Sequence, residues 1–442
     1  MFKKLKNFLF YDYHRPSAKI YHFFVMIKKI FYNSKTSLFS ERILLLKLPP
    51  ESMIYYNSLG RLAFIIRNFI SIIFLRKFFE KSIKLEDLTT TNNFNHQLNY
   101  GVDDNPWPHQ AMHLFEKETE LEEKFYIKLE EEYINSVEFF KKEEILDETK
   151  WWNECRNEFK QIFFKNGKID IQKLKNFRND IDVKAEILLD QNFISRSNST
   201  LVNKIRSLSL INLYHKLSEH IDLDILRKCS ESKIGNNYST VYRNQRIGYR
   251  ILRYAYYTSQ IRKYTNLDAR NKNIFLDIGG GYGGLSRVLK YFYSKSTFVI
   301  AELPELNLLA NYFLTQCFPS AKVGTSKDFK EKTIISKDDL NKYDFVLINP
   351  SYLNKFENNI VDISINTTSL GEMTNQMQKF YINQIERITS KYFYSVNRAK
   401  KRVEKYNSNG FYDLNLGSNW QSLVYGYTHT YHIEFLGKKI EY

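Results

Sequence analysis

Apolar positions change their spacing several times along this chain of 442 residues, and each spacing predicts a different kind of element. Residues 1–84 hold dense apolar runs broken by Lys and Arg: MFKKLKNFLF opens the chain, YHFFVMIKKIFY follows, and RLAFIIRNFISIIFLRKFF spans 61–79. At about 88–110 the run TTTNNFNHQLNYGVDDNPWPHQ collects Asn, Thr, Gly, Asp and two prolines, which marks a loop or a domain start. From 111 to 150, Phe115, Leu121, Phe125, Ile127, Leu129, Tyr133, Val137 and Phe140 recur near a 3.6 period among Glu and Lys, predicting an amphipathic helix with a solvated charged side. Further helical patterns cover roughly 151–165, 170–190, 199–220 and 240–265. After 270, short apolar strands alternate with helical stretches: Ile274 to Leu276, Thr297 to Ala301, YDFVLIN at 343–349, VDISINTTSLGEM at 361–373 and KYFYSVNR at 391–398. The fourth strand ends near Asn366 and its helix starts around Ser369 to Met373. The closing LVYGYTHTYHIEFLGKKIEY reads as an antiparallel hairpin. Five such units plus a hairpin fill one doubly wound α/β domain.

Charge is uneven. Residues 1–84 contain 16 Lys and Arg against four acidic residues, so this stretch carries most of the formal +16. A spanning helix needs ~20 mostly apolar residues, and the run at 61–79 is interrupted by Arg67, Asn68 and Ser71. Basic heads among Phe, Ile and Leu suit a helix lying on an anionic membrane surface; a buried helix, with Lys enriched by an AT-rich coding bias, is the alternative. No zinc-finger spacing or RNP-type strand accompanies the charge, which argues against nucleic acid. The opening FLF is too short for a secretory signal core. Three distant cysteines, Cys155, Cys229 and Cys317, make no disulfide framework and point to the cytosol. His109 and His113 stand four apart, but Gln110 follows the first where a metalloprotease helix has Glu, so no metal site is expected.

The chemistry concentrates in NIFLDIGGGYGGLSRVLKYFY. Strand, glycine turn and helix are the parts of a nucleotide-binding crossover, in which backbone amides at the helix N-terminus face the ligand. Two cofactor classes fit. Gly279, Gly281 and Gly284 satisfy the GxGxxG of dinucleotide sites, whereas Asp277, Gly279, Gly281 and Gly283 satisfy the D/E-x-G-x-G-x-G of class I methyltransferases. The acid favours the second: next to a cationic amino group Asp277 is attracted, next to a pyrophosphate it is repelled. Glu302, 25 residues on at the end of the second strand, is placed to accept from two ribose hydroxyls, and Pro304 fits the first turn of the next helix.

Taken in order, DIGGGYGGLSRVL, AELPEL, SINTTSLGEM and YFYSVNR resemble the sugar O-methyltransferases of bacterial surface-polysaccharide loci, a branch of class I methyltransferases. The resemblance covers roughly 230–442 well, including YSTVYRNQRIGYR, and 150–220 more loosely. Gly371 departs from it, standing where a larger polar residue is usual. It implies a Rossmann-like, doubly wound methyltransferase domain over 246–442, preceded by a mainly α-helical region at 88–245 and the basic, apolar segment at 1–87. It implies S-adenosyl-L-methionine as cofactor, with Asp277, Gly279, Gly281, Tyr282, Gly283, Glu302, Leu303, Ser351 and Asn366 as candidate contacts. The acceptor would be a sugar hydroxyl in a capsule or lipopolysaccharide precursor, soluble or lipid-linked. The enzyme would be cytoplasmic, with residues 1–84 docking on the inner membrane face.

Methyl transfer to a hydroxyl needs alignment and a base. Glu372, just past the fourth strand, is the first candidate base, with helix capping together with Ser369 as its alternative role. His429 and His432, read as lying on one strand, come second. Ser369, Asn397 and Arg398 are candidate acceptor contacts; the last two, after the fifth strand, could bind sugar hydroxyls or a phosphate, or simply end the strand. Tyr282 either covers the cofactor or packs on the neighbouring helix. An NAD(P)-dependent sugar oxidoreductase and a non-catalytic scaffold of the same fold are the competing readings.

Overall fold

The structure is a computed structural model describing residues 111–116, 119–142, 149–178, 210–211, 213–215, 217–237, 239–242, 245–399, 410–411, 414–429 and 432–440. The expected membrane-surface segment and His109 lie outside the described residues. These fall into two compact units. One takes its described residues mainly from Lys184–Glu231 and Asn237–Arg253, the other from Met112–Val183, Ser232–Asn236 and Tyr254–Tyr442.

The second unit begins with the helices α1 (Glu123–Lys142) and α2 (Lys150–Phe163). Tyr126, Leu129, Tyr133, Val137 and Phe140 form the buried stripe of α1. Phe115 and Ile127, expected inside, are exposed: Phe115 precedes α1, after the 3-10 turn Met112–Leu114, and on α1 Tyr126 takes the inward position beside Ile127. Thr149 caps α2 by accepting from the Trp152 amide. A two-residue hairpin follows, β1 (Phe164–Lys165) and β2 (Lys168–Ile169), then the short helix α3 (Ile171–Lys175).

In the first unit, α4 (Leu223–Lys228) is capped by Asp222, and β3 (Thr240–Tyr242) pairs with β4 (Gln245–Ile247). Gln245 Nε2 donates to the carbonyls of Leu226, Arg227 and Cys229. Helix was expected over 240–265; the observed helix α5 is Tyr249–Tyr264. The preceding stretch pairs as strands because Thr240, Val241, Tyr242 and Ile247 are β-branched or aromatic.

The remainder of the second unit winds a sheet: β5 (Ile274–Ile278), α6 (Gly284–Phe292), β6 (Thr297–Ala301), α7 (Pro304–Cys317), β7 (Val323–Thr325), α8 (Lys337–Leu340), β8 (Phe345–Ile348), β9 (Val361–Thr367), α9 (Asn375–Ile388), β10 (Thr389–Arg398), β11 (Trp420–His429) and β12 (His432–Lys439). The strand order is β11-β12-β10-β9-β5-β6-β8-β7. All neighbours from β10 to β7 are parallel, and β12 runs antiparallel to both β10 and β11. This is the Rossmann-like, doubly wound sheet with a terminal hairpin that the strand spacing predicted. Strand β7, three residues with a central Gly324, adds an edge that had not been expected.

The central strands are buried on both faces, as parallel strands between helices must be. Ile274, Leu276, Ile278, Val299, Ala301, Val346 and Ile348 share one core with Tyr381, Ile385 and Ile388 of α9. On the opposite face Phe275 stacks on Phe298 at 4.7 Å. The chain winds from β5 towards β7 and then returns to lay β9 on the other side of β5. The carboxyl ends of β5 and β9 therefore form the switch point at which such sheets bind ligands. Among the described residues no helix is long and apolar enough to cross a membrane.

Candidate active site

At the switch point the chain turns tightly after β5. Gly279 and Gly281 have φ of +65° and +57°, values at which a side chain is strained. A Cβ on Gly279 would stand 2.2 Å from Ser369 Oγ, whereas one on Gly281 would meet nothing within 4 Å. One glycine thus admits the neighbouring loop, and the other leaves open space above the turn.

Two carboxylates flank that space. Asp277, buried in β5, accepts from the Ser286 hydroxyl of α6 at 3.0 Å. Burial pushes its carboxyl up to about 7, with the Ser286 bond acting in the opposite direction. Glu302, at the end of β6, accepts from the Leu303 amide at 2.7 Å and the Gly281 amide at 3.0 Å. Burial likewise pushes Glu302 up to about 7; these two amides hold it down, and the charges of Asp277 and Glu305 add to the rise. Among the described residues neither carboxylate forms an ion pair; the hydrogen-bond donors to them are the Ser286 hydroxyl and the Leu303 and Gly281 amides.

Asn366 and Ser369 bind the other side of the turn. Asn366 Nδ2 donates to the Ile278 carbonyl at 2.8 Å and to Ser369 Oγ at 2.6 Å, and Ser369 Oγ donates to the same carbonyl at 3.2 Å. Asn397 Nδ2 donates to Asn366 Oδ1 at 2.8 Å and Ser395 Oγ at 2.7 Å. These amides hold the ends of β5, β9 and β10 together. Between Asn366 and Ser369, Thr368 has φ 67°. A β-branched residue in the left-handed region costs roughly 1–3 kcal/mol, and the Thr368 amide is held by the Val396 carbonyl at 2.7 Å.

Of the two roles read for Tyr282, the structure shows the packing one: it is buried, edge-on to Phe313 of α7 at 4.9 Å and to Phe177 at 5.6 Å. Other expectations change in detail. Ser369 stands at the N-cap of a single 3-10 turn, Leu370–Glu372, without a side-chain capping bond, and α9 starts only at Asn375 with Thr374 as its cap. His429 and His432 lie not on one strand but on β11 and β12, paired in register with each other. Leu303 is the residue before α7, and Ser351 is buried in a 3-10 turn after β8. Glu372 stands at the carboxyl side of β9, its carboxylate 4.0 Å from the Arg398 guanidinium.

Sequence reasoning did not single out Ser286, Thr368 or Glu305. Glu305, in the first turn of α7, accepts from Arg156 Nε at 2.9 Å and Tyr133 Oη at 3.2 Å. Asn349, just after β8, accepts from Ser136 Oγ at 2.6 Å and donates to the Ser136 carbonyl. Helices α1 and α2 are thereby fastened over the carboxyl ends of β6 and β8. Only Ser286 had a local signal, its place in the first turn of the helix after the glycines.

No family model matches the chain, and no curated protein matches it. Among solved structures it is similar to a Pyrococcus horikoshii OT3 protein, at 12% identity over 41% of this chain and 91% of that one, with a TM-score of 0.29. It is similar to the mitomycin 7-O-methyltransferase at 10% identity, over 43% of this chain and 57% of that one, with a TM-score of 0.29. It is also similar to Haemonchus contortus phosphoethanolamine N-methyltransferase 2, solved with S-adenosyl-L-methionine, at 13% identity, over 33% and 28% of the two chains, with a TM-score of 0.23. The match thus spans little more than half of the second protein and under a third of the third. The fold assignment rests on the strand order itself.

Proposed function

We propose that this chain is an S-adenosylmethionine-dependent methyltransferase acting on a hydroxyl of a sugar in a capsule or lipopolysaccharide precursor. The observation that carries the reading is the pair of buried carboxylates, Asp277 and Glu302, on either side of an open glycine turn at the switch point. Buried carboxylates without a cation are costly, and a ligand carrying an ammonium group and a ribose diol offsets that cost. The pair fits such a ligand. A pyrophosphate beside Asp277 would add to the cost, which weighs against a dinucleotide.

When bound, S-adenosylmethionine supplies a methyl group already activated on a sulfonium. Asp277 would hold the amino group, and Glu302 the ribose hydroxyls through lone pairs left over by the Leu303 and Gly281 amides. The clasp of Asn366 and Ser369 on the Ile278 carbonyl keeps the turn in place. Glu372 takes the proton from the acceptor hydroxyl. The sugar is supported by the SINTTSLGEM and YFYSVNR resemblance. Residues 1–84 suit docking on the anionic inner membrane face, where a lipid-linked acceptor resides.

The test is to incubate the full chain with S-adenosylmethionine and a panel of nucleotide-linked and lipid-linked sugars, following S-adenosylhomocysteine release. Release dependent on one sugar, lost in Glu372→Gln while S-adenosylhomocysteine still binds, supports the reading. Release with non-sugar hydroxyl acceptors alone overturns the sugar assignment. Sedimentation with anionic vesicles that is unchanged on deleting residues 1–84 overturns the docking assignment.

A further inference from the structure

We propose that Arg398 binds a phosphate group carried by the acceptor. Arg398 ends β10 at the ligand-binding edge of the sheet, one residue after Asn397, whose amide bonds Asn366. Its side chain is about three-quarters buried, at 26% exposure. Among the described residues its guanidinium makes no hydrogen bond, and its charged neighbour is Glu372 at 4.0 Å, beyond hydrogen-bonding distance.

The other buried or half-buried arginines described in this unit are all tied. Arg156 donates to Glu305, Arg178 to the Ser232 carbonyl and Arg287 to Glu116. Arg387 donates to the carbonyls of Phe356 and Leu353 and to Gln384. Five N–H donors in a fixed fork, largely buried and with no hydrogen-bond acceptor among the described residues, match a phosphate or carboxylate placed between them.

The Arg398 stem lies across the turn at Gly371, where a Cβ would stand 3.7–3.8 Å from it, an ordinary van der Waals contact. The same turn carries Ser369, whose hydroxyl occupies the place a Gly279 side chain would take. Arg398 is therefore separated from the glycine turn by a single loop, which is where an acceptor would sit.

A phosphate fits the fork better than a carboxylate, because its three oxygens can accept from more of the five N–H donors. Arg398 is also paired in register with His432 on the adjacent strand, so both residues project from the same face of the sheet. The anion could belong to a nucleoside diphosphate sugar or to a lipid pyrophosphate sugar; both present the same group to Arg398. The acceptor's identity rests on the methyltransferase reading, and the anion site does not.

Calorimetric titration of sodium pyrophosphate into the full chain, with and without S-adenosylhomocysteine, is the test. Arg398→Gln should weaken pyrophosphate at least about tenfold and Arg398→Lys less. Lys263→Gln, which removes one charge from the last turn of α5, should change it less than about twofold. Circular dichroism and S-adenosylhomocysteine affinity should stay unchanged in all three. UDP or geranyl pyrophosphate binding more tightly than pyrophosphate, again dependent on Arg398, supports the site and tells a nucleotide from a lipid source. No pyrophosphate binding, or equal binding by the wild type and the folded Arg398→Gln and Arg398→Lys proteins, overturns it. Arg398-dependent pyrophosphate binding in a chain that does not take S-adenosylhomocysteine leaves this inference standing and removes the methyltransferase reading instead.

Discussion

The backbone amide of Gly281 donates to the Glu302 carboxylate at 3.0 Å, tying the turn after the first strand of the sheet to the end of the second. That bond fixes two candidate cofactor contacts relative to each other before any ligand arrives. It also leaves Asp277 on the other side of the turn with only the Ser286 hydroxyl as hydrogen-bond partner among the described residues.

Asp277→Asn removes a buried charge while keeping the shape of the side chain. Stability at neutral pH should stay within about 1 kcal/mol, because an isosteric neutral group replaces a costly ion. S-adenosylhomocysteine affinity should fall at least about tenfold, the loss of one charge-assisted hydrogen bond. Urea unfolding and calorimetry on the same preparation separate the two effects.

Ligand binding should be linked to protons. Burial raises both Asp277 and Glu302 to about 7 in the folded, unliganded chain, whereas unfolded carboxylates titrate near ~4. The native state therefore holds more protons between about pH 4 and 7. The stability these groups contribute is full below that window and is lost as pH rises through it. A cationic amino group favours the ionised carboxylates, so S-adenosylhomocysteine should bind more tightly as pH rises through about 7, with net proton release near about pH 6 that disappears by about pH 9. Titrations in buffers of different ionisation enthalpy measure this release directly; net proton uptake near about pH 6 would contradict it.

Alanine at Gly279 should do more damage than alanine at Gly281. At Gly281 the cost is backbone strain of roughly 1–2 kcal/mol, since space is open around a new Cβ. At Gly279 the same strain is joined by a collision with Ser369. Ser369→Gly should recover part of the Gly279→Ala loss, and a double-mutant cycle on unfolding free energies reads that coupling.

Glu305 helps to hold α1 and α2. Glu305→Ala removes the charge-assisted bond to Arg156, whose side chain is 11% exposed, and should cost about 1.5–3 kcal/mol. Tyr133→Phe removes one hydrogen bond to the same carboxylate and should cost about 1 kcal/mol. Denaturant unfolding of both variants tests the order.

What was legible in the sequence follows from how local each signal is. Asp277, the glycines and Glu302 stand on strands whose short apolar runs announce them, so the crossover could be read directly. Thr240, Val241 and Tyr242 favour strands, but β3 and β4 are three residues each and adjoin the helical spacing of α5, which masks their hairpin. Strand β7 gives three residues with a glycine at the centre, too little for a pattern. Pairings across long stretches of chain leave no trace: nothing near Glu305 names Arg156, 149 residues away. Arg398 shows the same limit from the other side, since a strand-terminal arginine looks alike in sequence whether or not the fold gives it a partner.

The most direct measurement is calorimetric titration of the full chain with S-adenosylhomocysteine and, separately, with NADH, in the wild type and Asp277→Asn. The account predicts saturable S-adenosylhomocysteine binding that weakens in the variant, and no binding of NADH. NADH binding without S-adenosylhomocysteine binding would contradict it.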